Sequence, residues 1–77
     1  MEQNIEVENS SLSQELSVGD KTIDVQIYRE RGGDWVLEVI DEFHNSRIWN
    51  ELFSSDAEAL NEVEARIKEK GIDSLIG

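Results

Sequence analysis

The chain has no cysteine, no proline and a single histidine, His44, among its 77 residues. Without cysteine, neither a disulfide framework nor a thiolate metal site can form, and the composition suits a reducing compartment. Bases are scarce too: seven Lys and Arg stand against 18 Asp and Glu, for a net charge of −11. Such a field repels phosphate backbones, which speaks against direct nucleic-acid binding. It favours solubility and would steer a basic partner. No apolar run is long enough to cross a bilayer, so no membrane partner is expected. Met1-Glu2-Gln3-Asn4 lacks the basic and apolar regions of a secretion signal. The expectation is a cytoplasmic protein.

What remains is enough for one domain. Chains this short bury a smaller fraction of their surface and often need a disulfide, a metal or a partner subunit. The first is excluded here, and a transition-metal set is poorly supplied. Residues 1–12 are acidic and rich in Asn and Ser, with Ile5 and Val7 as apolar pegs. They read as a flexible tail or a short edge strand, leaving 13–77 as the α+β domain. Residues 1–20 hold five acids and no base. Residues 21–53 hold seven acids and four bases, and 54–77 six acids and three bases.

Gly19-Asp20 marks a tight turn between two strands. After it, Ile23, Val25 and Ile27 alternate with Asp24, Gln26 and Tyr28, the period of a half-buried strand. Beyond Arg31-Gly32-Gly33, the next strand runs Trp35 to Ile40. A three-residue loop would pair Ile27 with Leu37 and Val25 with Val39. A two-residue Gly-Gly turn would put Ile27 opposite Glu38 and mix the faces. The pattern selects the three-residue loop, with a glycine in the left-handed region. A turn in Glu42–Ser46 leads to a further strand over Arg47–Phe53, for which two registers stand. A two-residue His44-Asn45 loop places Leu37 opposite Leu52, Val36 opposite Phe53 and Ile40 opposite Trp49. A shift of one places Trp35 opposite Phe53, Val39 opposite Trp49 and Ile40 opposite Ile48.

Ser55 with Glu58 forms a capping-box pattern that opens a helix. Leu60, Val63 and Ile67, with Ala57 and Ala59, make its narrow apolar stripe. Acids load its first turns and bases its last, complementing the macrodipole. Glu62–Arg66 and Glu64–Lys68 are spaced for pairing. Gly71 ends the helix, and Ile72 to Ile76 should fold back onto the sheet. The expected fold class is α+β: a three- to four-stranded antiparallel meander with one C-terminal helix on one face.

No catalytic, cofactor or metal residue emerges. His44 sits in a turn, where no pocket or positioned neighbour makes it a general base. Asp41 and Glu42 beside it point to opposite faces. Gly32-Gly33 lacks the lysine and following helix of a phosphate loop. Nothing here points to an enzyme or a small-molecule substrate. The sheet is more informative. A stripe this narrow covers only one sheet face, while the two later strands carry apolar residues on both. Tyr28, Val36, Ile40, Trp49 and Phe53 are therefore the candidate interface, for a homodimer or another protein.

The stretch Ile23–Ala65 resembles the N-terminal half of HicB-type antitoxins. The shared features are a strand, the Gly32-Gly33 loop, the Trp35–Ile40 strand, another strand and a helix opening Ser55-Asp56-Ala57-Glu58-Ala59-Leu60. That resemblance implies an antitoxin-like inhibitor. Separately, the acidic balance can imitate nucleic-acid phosphates, so the alternative expectation is an antitoxin-like or nucleic-acid-mimicking inhibitor that binds a basic protein through its carboxylates. The order β-β-β-α is also similar to a double-stranded-RNA-binding domain. The acidic Asp56-Ala57-Glu58 is unsuited to that module's grip on phosphate. Residues 34–76 resemble small conserved bacterial proteins of uncharacterised function, which implies no activity.

Overall fold

A computed structural model describes residues 6–76. Five strand segments form one antiparallel sheet, followed by a single helix. They are β1 (Val7–Asn9), β2 (Gln14–Val18), β3 (Lys21–Glu30), β4 (Val36–Asp41) and β5 (Ser46–Ile48), then α1 (Asp56–Lys70). A 3-10 turn, Ile72–Leu75, closes the described chain. β1 and β2 both pair with the same edge of β3, so the sheet is four strands wide in the order β1/β2, β3, β4, β5. The fold class is therefore α+β, as the patterning requires. Within the 1–12 segment, residues 7–9 form the edge strand β1, and residues 1–5 lie outside the described residues.

The central hairpin has the register that face separation demands: Ile27 pairs with Leu37 and Val25 with Val39. Its loop is Arg31–Gly33. The Gly33 amide donates to the Glu30 carbonyl at 2.8 Å, and Gly32 takes φ +82° at the third turn position. A side chain there would be strained, which is why glycine occupies it. Ile23, Val25 and Ile27 of β3 and Leu37 and Val39 of β4 project to one face and are fully buried. α1 meets them with Ala59 and Val63, and the 3-10 turn adds Ile72 and Leu75, so the terminal segment does fold back. The helix presses on the sheet through Ala59, whose small side chain allows close approach. Ala57, expected on the stripe, is exposed, while Leu60 and Ile67 flank the core half-buried.

Both edges of this hairpin bulge at one level. Four residues, 10–13, span the two positions opposite residues 26 and 27 of β3. Four more, 49–52, span the two opposite residues 36 and 37 of β4, between the Glu38–Ile48 pair and the Trp35–Phe53 bridge. At the first bulge, the Ser10 amide donates to the Ile27 carbonyl at 2.8 Å. The Ser13 hydroxyl takes the Ile27 amide at 3.0 Å and donates back to its carbonyl at 3.2 Å. At the second, the Trp49 amide donates to the Leu37 carbonyl at 3.1 Å. Bulges of this kind re-aim side chains and blunt sheet edges. Here each delivers one side chain to α1. Ser10, buried, donates its hydroxyl to the Asp56 carboxylate at 2.7 Å, and the Trp49 indole donates to Glu62 at 3.3 Å.

Neither anticipated register of the last strand holds along its whole length. The turn loop is three residues, Glu42–His44, with His44 at φ +67° and the Asp41 amide donating to the Asn45 carbonyl. That sets Ile48 opposite Glu38 and Ile40 opposite Ser46. The second bulge then restores the Trp35–Phe53 pairing. At the helix start, Ser55 Oγ accepts from the Glu58 amide at 3.1 Å. The return half of the expected capping box is replaced, because the Glu58 carboxylate accepts from Ser54 Oγ at 2.8 Å.

Candidate interaction surface

Alternation along β3 and β4 assigns every strand residue to one of two faces. The helix-side face is covered at its centre. Leu12, Leu16, Trp35, Trp49, Phe53, Leu60, Ile67 and Ile76 ring the buried aliphatics. Two Trp–Arg stacks finish that rim. The Arg29 guanidinium lies 4.3 Å from the Trp35 ring centre and pairs with Glu8 at 3.0 Å. Arg66 lies 6.0 Å from the Trp49 ring and 3.5 Å from Glu62. Among the described residues, no buried side-chain polar atom lacks a partner.

The opposite face is open, because no described element packs over it. Asn9 pairs with Tyr28, Tyr28 with Val36, and Asp24 with Ile40, while Ile48 lies opposite Glu38 and diagonal to both Val36 and Ile40. Val7 sits diagonal to Tyr28. An apolar stripe of Val7, Tyr28, Val36, Ile40 and Ile48 therefore crosses the sheet from edge to edge. Tyr28, Val36 and Ile40 are half-buried by their neighbours, and Ile48 is 55% exposed. Three of the five expected interface residues are thus together on this face. Trp49 and Phe53 are not. Both pack against the core on the helix side, since the three-residue turn and the second bulge give them the parity of Leu37 and Trp35. Ile48 takes their place.

Glu38 stands in the middle of the stripe. It accepts from the Tyr28 hydroxyl at 3.0 Å through one carboxylate oxygen and from Ser46 Oγ through the other. Asp24, two positions away on the adjacent strand, accepts from Gln26 at 2.8 Å and lies directly opposite Glu15 on β2. Partial burial, then the Glu38 hydrogen bond and charge, raise the Tyr28 phenol above its ordinary value. Glu30, at the end of β3, has the same parity. None of the seven bases does. Lys21 and Arg29 share the parity of Ile23 and Ile27, Arg31 lies in the hairpin loop, Arg47 pairs with Val39, and Arg66, Lys68 and Lys70 lie on α1. Lys21 and Arg47 find partners beside the helix, Asp73 and the Ser74 carbonyl, and Arg31 pairs with Glu6. Alternation within the Trp35–Ile40 strand already placed Glu38 with Val36 and Ile40. The acidic half of the face was legible there, although its isolation from every base was not.

His44 is exposed at the tip of the β4–β5 turn. Its neighbour Asp41 is buried, with one carboxylate oxygen accepting from the Phe43 and Asn45 amides at 2.9 Å and the other from the Asn45 side chain. That carboxylate shapes the turn. Among the described residues no three His, Asp or Glu side chains gather where a metal could be held. No described helix is long and apolar enough to cross a membrane. Neither a protein-family model, nor a curated protein, nor a solved structure matches the chain.

Proposed function

We propose that the chain is a small, non-enzymatic, acidic protein-interaction module that docks through the sheet face opposite its helix. The observation that carries this reading is the apolar stripe Val7–Tyr28–Val36–Ile40–Ile48, uncovered by any described element while the centre of the other face is packed against α1. Continuous apolar surface of this kind is characteristic of interfaces. The non-enzymatic half is supported by the exposed position of His44 and by the engagement of Asp41 with turn amides. We place the protein in a cytoplasm, a setting to which its lack of cysteine is suited.

The occupant of the stripe is a second copy or a different protein. Sedimentation at low and high salt separates these: an apolar homodimer persists at both, whereas a strict monomer at high concentration excludes it. A second reading, an antitoxin-like inhibitor that seats a basic protein on its carboxylates, is favoured by the acids interleaved with the stripe. Comparing Val36→Thr/Ile48→Ser with the wild-type chain as bait in a bacterial lysate tests the docking face itself. The expected result is loss of the captured protein at an unchanged melting temperature. Equal capture by both baits would sink the reading.

A further inference from the structure

The charge layout of the open face identifies the chemistry of its partner. Glu15, Asp24, Glu30 and Glu38 share this face with the stripe, whereas the three strand-borne bases, Lys21, Arg29 and Arg47, project to the helix side, Arg31 lies in the hairpin loop paired with Glu6, and the other three lie on α1. One carboxylate pair, Glu15 and Asp24, is directly cross-strand, an arrangement that costs stability. No cation among the described residues pairs with either. Self-association through the same face would set these carboxylates against their own copies. Like charges juxtaposed at an interface suppress that pairing, whereas opposite charges steer and fix it. We infer that the open face receives a cationic, partly apolar segment of another protein. Its Lys or Arg side chains meet Asp24, Glu15 and Glu38, and its aliphatic residues lie along Val36, Ile40 and Ile48. The fixed orientation of Glu38, held by Tyr28 and Ser46, leaves its carboxylate standing among the apolar residues where such a cation would arrive.

This inference rests on the docking-face reading and specifies its partner. The test is amide chemical-shift mapping of the full chain with three synthetic peptides of one length. They are an amphipathic Lys/Leu peptide, its charge-reversed Glu/Leu analogue and a Lys/Ser analogue without the apolar face. The Lys/Leu peptide is expected to move amides in 22–28, 36–40 and 46–48, the Glu/Leu peptide none, and the Lys/Ser peptide to bind more weakly. Asp24→Asn/Glu38→Gln should lower the Lys/Leu affinity about five- to tenfold, the scale of two partly exposed ion pairs. Glu64→Gln/Glu69→Gln, which removes the same charge from exposed helix positions, should leave it unchanged. Shifts centred on α1, equal loss in both double variants, or equal binding of Lys/Ser and Lys/Leu would overturn the inference as mere polyelectrolyte attraction. Open-face shifts produced by the Glu/Leu peptide, or by raising protein concentration alone, would overturn it and leave the docking face intact. A face silent in every titration would overturn both.

Discussion

Tyr28 ties the apolar stripe to its carboxylates, and it is the only tyrosine in the chain. Its hydroxyl donates to Glu38 from a half-buried position on the open face. Burial and the neighbouring negative charge both oppose ionisation, so the phenol titrates above its ordinary value. The sign of the stability effect follows. A group whose folded pKa is raised contributes stability that is fully present below its unfolded value, about 10. That contribution is lost as pH rises through the folded value. Tyrosinate absorbance should therefore appear at higher pH than in the unfolded chain, and Glu38→Gln should bring it back toward the ordinary value. An unshifted titration in the wild-type chain would show that the Tyr28–Glu38 bond does not persist in solution. The alternation of the sequence placed Tyr28 and Val36 on the open face, since that requires only a period of two. It did not place Trp49 and Phe53, because their parity depends on a turn length and a bulge. In isolation, His44-Asn45 reads as well as Glu42–His44 for that turn.

At the scale of elements, the chain divides into parts that are locally complete and parts that are not. α1 contains its own start, charge gradient and stop: Ser55 at the cap, acids at Asp56 and Glu58, bases at Lys68 and Lys70, and Gly71 at positive φ. The central hairpin is equally self-sufficient, because face separation and Gly32 fix its register. The edge strands are different. β1 and β2 are separated by a bulge held by both the backbone and the hydroxyls of Ser10 and Ser13, and Ser10-Ser11-Leu12-Ser13 reads as ordinary loop composition in one dimension. Ser13 Oγ accepts from the Ile27 amide and shares the Ile27 carbonyl with the Ser10 amide, and Ile27 lies at the centre of the core. Ser13→Ala should lower stability by about 1–2 kcal/mol, the cost of leaving the buried Ile27 amide unpaired. It should also speed hydrogen exchange at the Ile27 amide. Wild-type protection of that amide in the variant would mean that water or a shifted strand replaces the hydroxyl.

For the whole molecule, charge and core size set the terms. Among the described residues nine aliphatics form the buried core, and the larger aromatics close its rim without being fully buried. The ion pairs around it lie largely on the surface, where each is worth little. The net charge of −11 acts throughout and opposes compaction by self-repulsion. Added sodium chloride screens that repulsion, so the melting temperature should rise by a few degrees between low and physiological salt. A fall would show that the surface pairs outweigh the net field. The sequence by itself determined the α+β class, the helix with its ends, the central register and the acidic field. Each depends on neighbours within a few residues or on composition alone. Tertiary structure decided the paired bulges beside Ile27 and Leu37, the transfer of Trp49 and Phe53 to the helix side, and the separation of bases from the open face. Those features arise only when both sheet edges meet the same helix. A strand's facing changes with a single inserted residue, and local pattern cannot register that change.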